Sequence, residues 1–181
     1  MNTIKKIKNI FNLKGKNILI IGGGGYLGFA MSEGLVEMGA NVIIASRNKK
    51  NIKSKIELLN SKFENKSEFL QLDISSSKSI DNFYTKLTRK YKKINVLINC
   101  AWNGKKNTLE SITNEDWDND IDISLSSTFK ITKKMIPMLK KTNGKIINIA
   151  SMYGHVAPDY RIYENNSNIA NPPSYGAAKA G

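Results

Sequence analysis

Tyr175 and Lys179 stand four residues apart in the run Tyr175-Gly176-Ala177-Ala178-Lys179. On a helix this spacing puts a phenol and an ammonium on one face. The ammonium favours the phenolate and lowers a phenol pKa that is ordinarily about 10. A phenol tuned this way can exchange a proton with a substrate hydroxyl near neutral pH. Many helices carry a Tyr-x-x-x-Lys pair, so its meaning depends on what else the chain holds.

A glycine-rich loop near the other end supplies that context. Residues 17–21 read Asn-Ile-Leu-Ile-Ile, a short apolar run of the kind that forms a buried parallel strand. Gly22-Gly23-Gly24-Gly25-Tyr26-Leu27-Gly28 follows, then a helical pattern from Phe29 to Met38, then a second apolar run, Val42-Ile43-Ile44-Ala45. Strand, glycine loop, helix and strand together form a dinucleotide-binding context. Glycines let the backbone turn sharply and approach a pyrophosphate. The helix start then offers free N–H groups and a positive dipole end. Gly22, Gly25, Tyr26, Leu27 and Gly28 are the candidate phosphate-side residues.

The end of the second strand reads the cofactor. An NAD-preferring fold places an acidic residue about 20 positions beyond the glycines, on the ribose 2′-hydroxyl. Here that place holds Ser46, Arg47 and Asn48. No carboxylate repels a 2′-phosphate, and a guanidinium is available to bind one. The chain has only three arginines among its 28 basic residues, which adds weight to one at this position. NADP is the expected cofactor, with NAD the alternative.

Taken together, these residues resemble the short-chain dehydrogenase/reductase family from about Phe11 to Gly181. Phe11-Asn12-Leu13-Lys14-Gly15-Lys16 resembles the family's lead-in, and Gly22, Gly25 and Gly28 fit its Gly-x-x-Gly-x-x-Gly form. Leu72-Asp73-Ile74 resembles the segment that contacts the adenine. Leu97-Ile98-Asn99-Cys100-Ala101-Trp102 is similar to the Asn-Asn-Ala-Gly element, with Cys100 and Trp102 as departures. Gly144–Ser151 looks like the fifth strand with the active-site serine. The resemblance implies that Tyr175 is the proton donor and that Lys179 lowers its pKa and binds the nicotinamide ribose. It also implies that Ser151 bonds the substrate oxygen, and that Asp73, Ile74, Asn99 and Ala101 border the cofactor. Ser124 stands where the family often has an asparagine whose kinked backbone holds a relay water. A serine can kink a helix by bonding its own backbone, so a modified relay is expected.

The segment from Ser151 to Tyr175 is longer than the family commonly has. It carries His155, Asp159, Tyr160, Arg161, Tyr163, Glu164 and Asn165 and ends in Asn171-Pro172-Pro173. Long loops inside compact domains are usually functional or disordered. This one is expected to cover a polar substrate, with Arg161 anchoring an acidic group and His155 nearby.

Apolar runs alternate with amphipathic segments, which implies a doubly wound parallel sheet in three α/β/α layers. Strands are expected near 17–21, 41–45, 67–72, 94–99 and 144–150, and helices near 26–38, 50–63, 77–91 and 115–140. Pro137 is expected to bend the last of these. The domain spans residues 14–181. Residues 1–13 form an amphipathic arm with Ile4, Ile7 and Phe11 on one face. Family members continue past Tyr-x-x-x-Lys into further strands, so the resemblance implies a domain incomplete at its C-terminus. The 181 residues alone are then expected to be inactive and poorly soluble, and the longer protein a homo-oligomer.

The net charge is +13. The lysines are spread through every expected helix but the first rather than gathered in a stripe, which argues against nucleic acid. An acidic acyl carrier protein remains a conceivable partner. Cys100 is the single cysteine and His155 the single histidine, so neither an intrachain disulfide nor a multi-histidine metal site is expected. No apolar run approaches the length of a membrane span, and no signal peptide is recognisable. A cytoplasmic oxidoreductase acting on a small sugar, polyol or hydroxy acid is the expected function. The alternatives are a 3-oxoacyl-carrier-protein reductase and a non-catalytic nucleotide-binding relative.

Overall fold

The computed structural model describes residues 10–64, 66–163 and 171–181. Residues 1–9 of the expected arm, and Glu164 and Asn165, lie outside the described residues. Phe11 of the arm is exposed.

Five parallel strands form one sheet in the order β3-β2-β1-β4-β5. They are β1 (Asn17–Ile21), β2 (Asn41–Ser46), β3 (Ser67–Gln71), β4 (Val96–Asn99) and β5 (Lys145–Asn148). Each of the first four crossovers is helical: α1 (Tyr26–Glu37), α2 (Lys50–Lys62), α3 (Ser77–Lys90), then α4 (Asn114–Ile121) and α5 (Ser127–Lys140) together. A last helix, α6 (Pro173–Ala180), follows β5.

The central strands β1, β2 and β4 are mostly apolar because both faces of the sheet are covered there. Ile18 and Ile20 of β1 pack with Val36 of α1 and with Ile52 and Leu59 of α2. Leu19 and Ile21 point the other way and pack with Phe83 of α3 and with Ile131 and Met135 of α5. Strand alternation thus feeds two separate cores, one per helical layer. At the far edge, Ile146 and Ile147 of β5 are 43% and 46% exposed, so neither face of that strand is fully covered.

The doubly wound architecture matches the sequence expectation, and most element bounds agree within three residues. The helix expected over 115–140 is interrupted. A π-turn spans Asp122–Ser126 between α4 and α5, while Pro137 falls inside α5. Ser124 lies in the π-turn, but its hydroxyl has no partner. The serine therefore does not distort the helix by bonding its own backbone. Instead the Thr128 hydroxyl donates to the Ser124 carbonyl at 2.9 Å, which occupies a carbonyl that the wider turn leaves accessible.

Gly22 has φ +79°, and a Cβ there would lie 2.7 Å from the Ala101 Cα. A Cβ on Gly28 would lie 2.4 Å from the Gly22 carbonyl oxygen. Glycine at these positions lets the first turn of α1 settle on the end of β1, and β1 approach the loop after β4. Gly34, by contrast, is exposed in α1 with no atom near its missing side chain. Gly34→Ala is expected to stabilise the chain by about 0.5–1 kcal/mol. Gly22→Ala should destabilise it by roughly 1–2 kcal/mol from backbone conformation alone, with the clash added. Thermal or urea unfolding of the two variants measures this. Shifts in the same direction would contradict the packing described.

Candidate active site

A cleft of about 190 Å³ opens at the carboxyl ends of the strands, between β1 and β4. Gly22, Gly25, Ser46, Arg47, Asp73, Ile74 and Ala101 line it, all singled out by sequence. Gly25 caps α1 without any side-chain hydrogen bond, so the first-turn amides of Tyr26, Leu27 and Gly28 remain available to an anion. The side chains of Tyr26 and Leu27 face solvent, at 92% and 58% exposure. Any contribution from those two positions therefore comes from the backbone. Arg47 is exposed, and no carboxylate pairs with it among the described residues.

Asp73 is held by its own turn, where Oδ1 accepts from the Ser75 amide at 3.1 Å and the Ser75 hydroxyl at 2.7 Å. Asn48 does not line the cleft; it accepts from the Lys50 amide at the start of α2. Asn99 is buried below the cleft. Its Nδ2 donates to Thr132 Oγ1 at 2.9 Å and to Asn148 Oδ1 at 2.8 Å, tying β4 to α5 and β5.

Helix α6 brings Tyr175 and Lys179 to this edge of the sheet. Pro172 and Pro173 start it, with Pro173 in the first turn where a missing N–H is harmless. Two glycines let the short 3-10 turn Met152–Gly154 lie against it. A Cβ on Gly154 would meet the Lys179 carbonyl oxygen at 2.7 Å, and one on Gly176 the Tyr153 carbonyl oxygen at 2.8 Å. Ser151 caps that turn, its Oγ accepting from the Tyr153 amide at 3.2 Å. Lys179 Nζ donates to the Ile149 carbonyl at 2.7 Å and lies 5.9 Å from the centre of the Tyr175 ring.

Burial lowers the pKa of Lys179, with a smaller opposing effect from Cys100. Burial likewise pushes the Cys100 thiol up, and Lys179 opposes it. Trp102 meets the Tyr175 ring edge-on, 5.3 Å between centres at 74°. Tyr153 is close enough for Tyr175 to contribute to its raised pKa, behind the hydrogen bond to Tyr163 and burial.

A second cavity, of about 300 Å³, lies beneath Lys179 and is lined by Asn99, Ser124, Thr128, Asn148 and His155 among others. His155, from the segment expected to cover a substrate, lines this cavity together with Lys179. The Ser124 hydroxyl and Asn99 Oδ1 are both buried without a partner. Arg161 projects into solvent, with its side chain 91% exposed and paired to Asp159 at 2.7 Å.

The short chain dehydrogenase family model matches residues 16–181. The chain belongs to the short-chain dehydrogenase/reductase family. Among curated relatives, it is 31% identical over 170 residues to the 3-oxoacyl-[acyl-carrier-protein] reductase FabG of Thermotoga maritima, covering 93% of this chain and 64% of the relative. The chain thus spans under two thirds of that relative's length. The structure of a short chain dehydrogenase from Mycobacterium smegmatis is 25% identical with a TM-score of 0.79, covering 93% of this chain and 67% of that one. The structure of gox2181 shares the fold, with a TM-score of 0.84, 21% identity, and coverage of 97% and 65%. The family binds NAD(P).

Two features of this short-chain dehydrogenase/reductase site escaped the sequence reading. Trp102 was visible only as a departure from the family pattern, whereas its ring is a wall of the site. Asp120 belongs to none of the motifs in the sequence. It is 2% exposed, and Ser174, the residue before Tyr175, donates to its Oδ2 at 2.5 Å. A Cβ on Gly104 would overlap Asp120 Oδ1, at 2.2 Å. Asp120 thereby joins α4, the loop after β4 and the start of α6. A signal existed: Asp120 falls on the stripe that continues through Ile123, Ser127, Ile131 and Met135, all buried. The alternating acids Asp116, Asp118 and Asp122 around it disguise the one that turns inward.

Burial raises the Asp120 pKa, against the hydrogen bond from Ser174. Asp120→Ala should destabilise the chain by about 1–3 kcal/mol by leaving the buried Ser174 hydroxyl without its acceptor. Asp120→Asn keeps an acceptor and removes a buried charge, so its melting temperature at pH 7 should equal or exceed that of the parent. Because the folded pKa is raised, the penalty of the charge is complete above that pKa and fades as pH falls toward the ordinary carboxylate range. The margin of Asn over Asp should shrink with it. An Asn variant as unstable as Ala would show that the charge itself is required.

Proposed function

We propose that the protein is an NADP-dependent oxidoreductase that interconverts a carbonyl and a secondary alcohol on a small polar substrate of the sugar, polyol or hydroxy-acid kind. The observation that carries this reading is the meeting of Tyr175 and a desolvated Lys179 beside a glycine-lined cleft, with Trp102 touching both the cleft and Tyr175. The residues fit a dinucleotide. Gly22 and Gly25 line the cleft, α1 begins with uncapped amides, and Arg47, just after β2, has no carboxylate partner among the described residues. When bound, the dinucleotide supplies or accepts the hydride.

Tyr175 donates a proton to the carbonyl oxygen during reduction and takes it back during oxidation. Lys179 holds the nicotinamide ribose beside Tyr175. The Ser151 hydroxyl bonds the substrate oxygen. The orphan oxygens of Ser124 and Asn99 are anchors for water that resupplies the proton on the Lys179 side. Arg47 binds the 2′-phosphate. The single free thiol suits a reducing compartment, in keeping with cytoplasmic residence.

A second reading, reduction of a 3-oxoacyl group on a carrier protein, draws on the Thermotoga relative and on the +13 charge, which suits an acidic partner. The polar surroundings of Trp102 favour the small-substrate reading.

Arg47→Ala should weaken NADPH binding by about tenfold or more and NADH binding by less than about twofold, because only NADPH carries the 2′-phosphate. Equilibrium fluorescence titration measures both, and equal losses would refute the NADP assignment. In the longer protein, Tyr175→Phe should reduce turnover to below a few per cent while leaving NADPH affinity unchanged. Substantial residual turnover would require another proton donor.

A further inference from the structure

Two neighbouring lysines after β4 have different partners. Lys105 Nζ lies 2.8 Å from Asp116 and is neutralised by it. Lys106 has no carboxylate partner among the described residues. Its Nζ bonds Asn171 Oδ1 and stands 5.0 Å from the centre of the Trp102 ring, within reach of a cation–π attraction. Trp102 is the ring that meets Tyr175 edge-on. The Lys106 ammonium is therefore no more than about 10 Å from the centre of the Tyr175 ring.

The indole N–H of Trp102 is buried and has no acceptor. An unpaired buried donor is costly, and beside a reacting phenol it points to an acceptor brought by a ligand. Around this cation and donor the groups are neutral and hydrogen-bonding. Asn171 Nδ2 approaches the Tyr163 hydroxyl at 3.5 Å, and the Tyr163 and Tyr153 hydroxyls are 3.3 Å apart. Asn171, Tyr163 and Tyr153 come from the segment between β5 and α6, whereas Trp102 and Lys106 come from the loop after β4. Arg161, the cation expected from sequence to anchor an acid, is already paired with Asp159 and faces solvent.

We propose that Trp102 and Lys106 form a substrate subsite for a small hydroxylated anion, with Lys106 binding its carboxylate or phosphate and the Trp102 N–H bonding one of its oxygens. This rests on the oxidoreductase reading for the position of the reacting carbon at Tyr175. Lys106 then sets specificity by charge, at a point remote from the proton transfer. Hydroxyls along the substrate meet Tyr153 and Asn171.

Trp102 and Trp117 are the only tryptophans, so in a Trp117→Phe background the emission of Trp102 reports this subsite alone. The 181-residue chain is titrated with gluconate, glucose 6-phosphate and sorbitol, each with and without NADPH. At least one of the two anions is expected to change the emission with half-saturation about tenfold or more below that of sorbitol. Which anion does so distinguishes carboxylate from phosphate. Lys106→Met should erase the preference, Lys106→Arg should keep it, and Arg161→Ala should leave it intact. No response to either anion, equal responses to anions and sorbitol, or a preference that survives Lys106→Met would overturn the subsite. Energy transfer from Trp102 to NADPH is read in the same titrations. Its absence would count against the oxidoreductase reading, while the anion arms still decide the subsite.

Discussion

The close contact between Gly22 and the backbone of Ala101 governs the carboxyl edge of the sheet. Strands β1 and β4 are neighbours in the order β3-β2-β1-β4-β5, and the chain runs outward from them in opposite directions. Their carboxyl ends therefore border a crevice, the position where open parallel sheets bind ligands. A side chain at position 22 would force the two backbones apart. With glycine there, Arg47 after β2, Asp73 after β3 and Cys100 to Trp102 after β4 share one cleft. Trp102 extends from that cleft to the Tyr175 ring, so the cleft and the Tyr175–Lys179 pair share a wall.

The pair itself depends on how α6 is held. Lys179 ties the far end of the helix to the Ile149 carbonyl just beyond β5. Gly154 and Gly176 allow the turn capped by Ser151 to pack against its side. Ser174 fastens its first turn to the buried carboxyl of Asp120. The same packing that orients Lys179 strips water from it and lowers its pKa. A lowered lysine pKa weakens its hold on a proton, and the amine lies 5.9 Å from the centre of the Tyr175 ring. Position and electrostatics are consequences of one docking.

The strands and helices were legible because a parallel sheet covered on both faces requires unbroken apolar runs, and the helices that cover it require amphipathic ones. That the glycine loop, Arg47 and Asp73 meet in one cleft, and that Tyr175 and Lys179 lie side by side on a helix, was legible because each placement follows from local spacing. What was not legible depends on residues distant in sequence. Asp120 meets Ser174 across 54 positions and Lys106 meets Asn171 across 65, and no periodicity announces either pairing. The π-turn at Asp122–Ser126 has no composition signature. Its serine suggested a distortion by self-bonding, but it is the Thr128 hydroxyl that takes the Ser124 carbonyl. Arg161 looked like an anchor because its type fits an anion. Asp159, two residues before it, satisfies it instead.

The central claim is that a dinucleotide occupies the crevice between β1 and β4, with its nicotinamide end directed to Tyr175 and Lys179. Titration of the isotope-labelled chain with NADP⁺, followed by backbone amide chemical shifts, tests it residue by residue. The account predicts saturable shifts concentrated at Gly22–Gly28, Ser46–Asn48, Asp73–Ile74, Ala101–Trp102 and the amides around Lys179. Shifts that do not saturate, or that centre on another face of the sheet, would contradict it.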